Sequence, residues 1–356
     1  MIGEMKIVFP HFGNYHIPIA KFVEKTLNIK PFLPFAITKK TIELGAKHSP
    51  DFVCVPFKYN LGNYIEALEN GANVLIQAGG GCRFGYYGEL QEEILKNLGY
   101  NFKFYKLTAR SLDKLAFYKM LKKINPNLSF GKYVYSAYFL YKHVKLLDEI
   151  EDYIRKNIGF EVNIGDFEKL EKKFHCEMKV IKKISDIRKI SVKYKKLFKN
   201  ISIKKPKNCL KVGIVGEFYV LIEPFSNYYI ERELAKKGIE VKRYINVFYT
   251  AFSKDHRFKK RLKRAKPYIL DDIGADGVDS VGHALELTKK GYDGIIHIKP
   301  FGCTPEINAI PALQNISNDY NIPILYFSVD SQTSETGVKT RLEAFHDMLL
   351  MKKKKE

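Results

Sequence analysis

The 356-residue sequence lacks any apolar run long enough to cross a membrane as a helix. Its first residues, MIGEMKIVFPHFG, also lack the long apolar stretch and small-residue cleavage site of a secretory signal. Cysteine is scarce, with five in the chain, and no two of them form a close CxxC-type pair. These absences predict a cytoplasmic protein without membrane contact, whose cysteines serve as metal ligands or catalytic groups rather than in disulfides.

Acidic residues are also few, because 39 Asp and Glu stand against 60 Lys and Arg and leave a net charge of +21. An excess of this size suggests nucleic acid, but the lysines are spread through helical patterns such as Glu168–Asn200 and the tail Lys352–Lys355. No helix-turn-helix, RRM or zinc-finger motif is present. We therefore expect no nucleic-acid partner, and long-range attraction for some other anionic partner.

Short apolar runs alternate with helical patterns in the first and last thirds of the chain. This alternation predicts parallel sheets with crossover helices, and the length favours two domains over one core. The predicted strands of the first third are Lys6–Pro10, Phe52–Phe57, Val74–Ala78 and Phe102–Leu107. Those of the last third are Leu210–Val215, Val241–Val247, Gly294–Ile298 and Ile324–Val329.

The middle of the chain has helical spacing through Tyr133–Ile158 and Phe167–Phe198, with almost no strand signal. The predicted class is α/β, with two open parallel-sheet domains of flavodoxin or Rossmann type and a helical insertion between them. We place an N-terminal α/β domain at residues 1–111, with Cys54 and Cys82, and the insertion at 112–205. A C-terminal α/β domain with Cys303 follows at 206–356.

Cys54, Cys82 and Cys303 share one local setting, in which an apolar run ends, Gly or Pro turns the chain, and a helical pattern follows. Backbone N–H groups and the helix dipole at such a position favour a thiolate, or an anionic cluster built from thiolates. A single cysteine of this kind is usually a small buried residue in a turn. Three in matching settings favour a shared site in a cleft between the two domains, at the sheet edge where ligands bind.

Three thiolates suit either a tetrahedral zinc ion or an iron–sulfur cubane. Structural zinc normally takes four protein ligands, often in close pairs that are absent here. A 4Fe–4S cluster is normally held by four cysteines, so three would leave one iron open to water, a substrate or another ligand.

Eight segments of the chain have a recognisable sequence: Met5–Gly13, Cys54–Lys58, Asn60–Leu68, Gly79–Gly88, Val212–Glu217, Glu223–Asn227, His297–Glu306 and Asp330–Phe345. In these segments the chain resembles the 2-hydroxyglutaryl-CoA dehydratase family, in particular an activase-associated branch related to its cluster-binding subunits. The resemblance covers nearly the whole chain except the lysine-rich helical middle.

The resemblance implies that Cys54, Cys82 and Cys303 ligate one 4Fe–4S cluster per subunit. It implies an oxygen-sensitive component of a 2-hydroxyacyl-CoA dehydratase, or of a related ATP-dependent low-potential reductase, in anaerobic metabolism. In such dehydratases an activase injects one electron, and the thioester carbonyl at the open iron becomes a ketyl radical that expels the hydroxyl group. The alternative is a non-catalytic electron relay or an activase-associated, cluster-binding scaffold.

The implied partners are an ATP-dependent activase protein, an acyl-CoA substrate, and a second dehydratase subunit or a second copy of the chain. The sequence lacks the GxxxxGK[ST] phosphate loop, so a separate polypeptide would supply the ATP-driven electron. Relatives with a double-cubane cluster need more cysteines than these three. Cys176 and Cys209 lie outside the family's motifs and are predicted to be structural.

Further residues are assigned to the site with their simpler alternatives. Arg83 is a candidate catalytic residue, holding an anionic cluster or a thioester oxygen, or else a surface cation. Gly80, Gly81 and Gly302 are candidate cofactor-binding residues, because glycine lets backbone N–H groups approach a cluster, although bare turns would look the same.

Glu335, in the polar segment Ser331–Gly337, is a candidate acid or base, but a carboxylate at a helix N-terminus is the simpler role. His297 is predicted to be a buried, hydrogen-bonded histidine. Glu217 and Asn227 lie in family-like segments, and the sequence supplies no chemistry for them.

Overall fold

The structure is a computed structural model, and it describes residues 5–79, 81–108, 114–253 and 258–355. The chain divides into two compact units, Met1–Val144 and Lys145–Glu356. Each unit contains one sheet whose strands are all parallel. The predicted α/β class with two open parallel sheets is therefore confirmed.

In the first unit, three strands are paired in the order β1-β2-β3, which is also their order in the chain. They are β1 (Ile7–Val8), β2 (Val74–Gly79) and β3 (Lys103–Thr108). Its helices are α1 (His16–Leu27), α2 (Lys39–His48), α3 (Val55–Glu69), α4 (Tyr87–Asn97) and α5 (Lys114–Ile124), and α6 (Phe130–Asn157) begins there.

The first sheet is covered on both faces. Ile7 and Val74 pack into one apolar cluster, whereas their neighbours Val8 and Leu75 pack into another. Because successive strand residues point to opposite faces, the two clusters lie on opposite sides of the sheet. This explains why the strands read as continuous apolar runs rather than alternating ones.

The predicted strand at Phe52–Phe57 is wrong. Residues 51–53 form a turn, and helix α3 begins at Val55, with Pro56 in its first turn. A six-residue apolar run has no periodicity that separates a strand from a buried helix. Most of helix α3 is buried, and its Gly62 crosses α2 so closely that a Cβ would lie 1.9 Å from the Thr41 carbonyl oxygen.

In the second unit, four strands are paired in the order β5-β4-β6-β7. They are β4 (Lys211–Gly216), β5 (Glu240–Arg243), β6 (Gly294–Pro300) and β7 (Ile324–Val329). The chain places β5 on one side of β4 and β6 on the other. The carboxyl ends of β4 and β6 therefore form the topological switch point, where open α/β sheets bind ligands.

Helices precede, connect and follow the strands of the second unit. They are α7 (Asp166–Val180), α8 (Ile184–Lys199), α9 (Phe218–Ile222), α10 (Ile230–Lys236), α11 (Phe258–Ala265), α12 (Gly277–Lys289), α13 (Thr304–Asp319) and α14 (Glu335–Lys355). The helical pattern Phe167–Phe198 is broken at residues 181–183, where the Asp186 carboxylate accepts from the Lys182 and Lys183 N–H groups. Within the described ranges, no helix is long and apolar enough to cross a membrane.

Candidate functional site

Each of the three candidate cysteines lies immediately before a helix. Cys54 precedes α3, Cys82 precedes the short 3-10 helix Arg83–Tyr86, and Cys303 precedes α13. All three have the extended backbone conformation typical of the residue before a helix. The first N–H groups of a helix favour negative charge at this position, so the setting suits thiolates in all three places.

Cys54 contacts the hydroxyl group of Tyr87. The Cys54 Sγ lies 2.9 Å from the Tyr87 Oη, and the Cys54 N–H donates to the same oxygen at 3.4 Å. Burial raises the pKa of Tyr87 well above its usual value, and the neighbouring Cys54 raises it further. The hydroxyl is therefore neutral and can donate to the sulfur, a contact that the sequence did not predict.

Tyr87 also connects Cys54 to the segment that carries Cys82. It is the first residue of α4, directly after the 3-10 helix that Cys82 begins, and its ring packs edge-on against Phe57 at 4.8 Å between centroids. One buried side chain therefore holds the start of α3 next to the start of α4.

The Cys82 segment is exposed and shaped by glycines. The Cys82 Sγ accepts from the Phe84 N–H at 3.4 Å, and Gly81 has a φ of 86°, which favours glycine. At Gly79, an added Cβ would lie 2.1 Å from the Phe84 ring. Arg83 is exposed beside Cys82, and Gly80 lies outside the described residues. The roles assigned to Gly80, Gly81 and Arg83 stay predictions.

Cys303 follows β6 through a tight turn. Gly302 has a φ of 73°, the Cys303 N–H donates to the Pro300 carbonyl at 3.2 Å, and the Ile307 N–H donates to the Cys303 carbonyl at 2.9 Å. The turn thus ends the strand and starts α13 within three residues. It places a half-buried cysteine at the sheet edge that contains the switch point.

A buried polar group lies in the first turn of α13, three residues after Cys303. The Glu306 carboxylate is 1% exposed, and its Oε2 lies 2.8 Å from the His297 Nε2. Its Oε1 accepts from the Ser280 hydroxyl at 3.1 Å. The expectation of a buried, hydrogen-bonded His297 is confirmed, whereas Glu306 and Ser280 were missed as site residues.

Lys299 shares this environment. It is nearly buried, and burial lowers its pKa, while the negative charges of Cys303 and Glu306 act in the opposite direction. A buried ammonium close to a cysteine supports the thiolate form of that cysteine. Lys299 and Glu306 lie in the motif His297–Glu306, from which the sequence analysis assigned roles to His297, Gly302 and Cys303. Their position in this motif was the sequence signal that could have identified them.

Glu217 lies at the end of β4, on the other side of the switch point. Its carboxylate accepts from the Val220 N–H at 2.9 Å, and its own N–H donates to the Ile298 carbonyl of β6 at 3.1 Å. Burial, together with the charges of Asp276 and Glu306, raises the pKa of Glu217 to about 7, although hydrogen bonds from the Val220 and Tyr219 N–H groups act in the opposite direction. This carboxyl group can therefore carry a proton near neutral pH, a property that its sequence motif did not reveal.

Glu217→Gln is expected to reduce the pH dependence of the free energy of unfolding between pH 4.5 and about 7. These limits are the ordinary pKa of a glutamate and the pKa of Glu217 in the folded protein. The folded state holds the Glu217 proton more tightly than the unfolded state does. The protonated carboxyl therefore contributes its full stabilisation below pH 4.5, and this stabilisation is lost as the pH rises through about 7. Since Glu217 keeps some solvent contact, we expect it to change the free energy of unfolding by about 1–3 kcal/mol across this interval. Urea unfolding at both ends of the interval measures this change.

The exposed carboxylate Glu343 on α14 provides the control for this change. Glu343→Gln should keep the pH slope of the unchanged protein. If the free energy of unfolding changes equally with pH in Glu217→Gln and Glu343→Gln, the raised pKa of Glu217 is contradicted.

The remaining candidates lie apart from these contacts. Glu335 is the first residue of α14 and pairs with Lys339 at 2.7 Å, which lowers the pKa of its carboxyl. That arrangement supports the helix-terminal role, and its catalytic role stays a prediction. Cys176 is exposed on α7, and Cys209 is buried before β4.

The three candidate cysteines fit an iron–sulfur cluster by their donor chemistry. Thiolates are the usual ligands of such clusters, and helix N-termini with nearby N–H donors stabilise their negative charge. Among the residues that the structure describes, no three His, Cys, Asp or Glu side chains already lie together as a metal site. The fit therefore rests on the kind of ligand and its local setting.

Comparison with known proteins gives one family. The family described as 2-hydroxyglutaryl-CoA dehydratase, D-component, matches residues 282–349. The matched segment runs from α12 to α14 and includes Cys303, Lys299 and Glu306. No curated protein matches the chain. This segment of the second unit is therefore similar to the dehydratase D-component family.

Proposed function

We propose that this chain belongs to the dehydratase family and is the iron–sulfur component of a 2-hydroxyacyl-CoA dehydratase or of a related ATP-dependent low-potential reductase. Cys54, Cys82 and Cys303 ligate one 4Fe–4S cluster, and one iron is left open for a thioester substrate. The observation that carries the proposal is that all three cysteines begin helices, one of them inside the segment that matches the family.

The surroundings of each cysteine support a bound, anionic cluster. Tyr87 offers a neutral hydroxyl to Cys54, and the Phe84 N–H donates to Cys82. Near Cys303, the charge of Lys299 offsets that of the thiolate. Hydrogen bonds to sulfur and nearby positive charge are the features by which proteins tune iron–sulfur clusters.

The chain's own polar residues suit the handling of a charged substrate and a proton. A bound cluster would supply low-potential electrons and a Lewis-acidic iron. Glu217 holds a proton near neutral pH at the switch point, and Lys299 supplies a buried positive charge there. Removal of a hydroxyl group as water requires such a proton, so we assign Glu217 as a candidate proton donor.

Iron and sulfide counting tests the proposal. Protein purified without oxygen should contain about four iron and four sulfide per chain, as in one cubane cluster. The control is the same protein prepared in air, which should lose the cluster. Stoichiometric zinc and no iron in the anaerobic preparation would contradict the proposal.

A further inference from the structure

The clearest unexplained feature of the second unit is the buried carboxylate of Glu306. It is the third residue of α13, and a glutamate at this position commonly turns back to cap the helix. Here the carboxylate binds His297 of β6 and Ser280 of α12 instead. It therefore ties the first turn of α13 to a strand and to a second helix at once.

The contact between α12 and α13 is close at the same place. A Cβ added to Gly277, the first residue of α12, would lie 2.5 Å from the Pro305 carbonyl oxygen. Ser280 lies one turn further along α12, on the side of the helix that Gly277 presents. The Ser280–Glu306 hydrogen bond thus joins α12 and α13 at a place where the two helices are already in close contact.

Cys303 is the residue immediately before α13, and Glu306 is the third residue of the first turn of that helix. Cys303 lies in a turn that depends on a glycine with positive φ, and such a turn has little rigidity of its own. The Ile307 N–H of the first turn of α13 donates to the Cys303 carbonyl at 2.9 Å, so whatever fixes this turn also restrains the backbone that carries the cysteine side chain.

From these contacts we infer that Glu306 is a positioning residue for Cys303. Its carboxylate, held by His297 and Ser280, locks the β6–α13 turn and keeps the thiol half-buried in one orientation. This inference rests on the proposed function for the statement that Cys303 is a cluster ligand. The locking of the thiol is a property of the protein alone, and it is present before any cluster binds.

The test measures the alkylation rate of Cys303 in the full-length, metal-free protein, read by mass spectrometry of the Cys303 peptide. Ser280→Ala removes one hydrogen bond to Glu306 and should speed alkylation of Cys303 about fivefold, as expected when a local opening loses one buried hydrogen bond. Glu306→Gln should have an effect in the same direction, because the amide cannot replace both contacts of the carboxylate.

Two matched controls lie at the opposite end of α13. Ser317→Ala removes a hydroxyl that donates to the Ile322 carbonyl, and Asp319→Asn changes a carboxylate that accepts from Tyr268. Both should leave the Cys303 rate unchanged. The buried Cys209 reports global opening, and its rate should stay constant in all four variants.

Equal Cys303 rates in Ser280→Ala and Ser317→Ala would overturn the inference. If Glu306→Gln also speeds the alkylation of Cys209, that variant is partly unfolded. The comparison of Ser280→Ala with Ser317→Ala then tests the inference. Because the measurement uses metal-free protein, its outcome is independent of iron binding. Failure of the chain to bind iron would contradict the proposed function, while a faster Cys303 in Ser280→Ala would still support the positioning role.

Discussion

Replacing Cys54, Cys82 or Cys303 with alanine is expected to reduce the iron content of the anaerobic protein from about four per chain to near zero. Each change removes one of the three thiolates proposed as ligands, and a cubane with two protein ligands is poorly held. Iron and sulfide analysis, together with the visible absorption of the cluster, measures the loss.

Cys176→Ala and Cys209→Ala are the controls for these changes. Cys176 is exposed on α7 and Cys209 is buried before β4, and neither begins a helix. Both variants should keep the full iron content. A Cys303→Ala protein with four iron per chain would remove Cys303 from the ligand set and limit the cluster to residues of the first unit.

The second large effect concerns the thioester. A cluster with three cysteine ligands leaves one iron open, so a 2-hydroxyacyl-CoA should change the EPR signal of the reduced protein. Turnover should be near zero without an ATP-dependent activase and should appear when one is added with ATP. The salt dependence of binding would show how much surface lysines contribute by attracting the coenzyme A phosphates.

The same measurement separates the enzyme from an electron relay. A relay would have a fourth protein ligand on its cluster and an EPR signal that no acyl-CoA alters. Coenzyme A without an acyl group is the matched control, because it keeps the phosphates and lacks the thioester carbonyl. An unchanged spectrum across a panel of acyl-CoA compounds would favour the relay or scaffold.

Most of the secondary structure was predictable because its signals are local. Strand β7 was predicted at its observed bounds, Ile324–Val329, and strand β6 begins at the predicted Gly294 and ends two residues after the predicted Ile298. Buried parallel strands read as short apolar runs between turn residues, and amphipathic helices have a clear period. At Phe52–Phe57 the prediction was wrong, because an apolar run at the start of the mostly buried helix α3 has the same local signal as a buried strand.

The sequence alone determined the α/β class and placed Cys82 and Cys303 between a strand and a helix, because Gly and Pro mark those turns locally. For Cys54 it predicted a strand where helix α3 begins. Only the tertiary structure decided what surrounds them. Tyr87 reaches Cys54 across 33 residues, and Ser280 reaches Glu306 across 26. The strand order that makes the switch point beside Glu217 is also long-range. Such contacts depend on how distant segments pack, and no local pattern of residues encodes that packing.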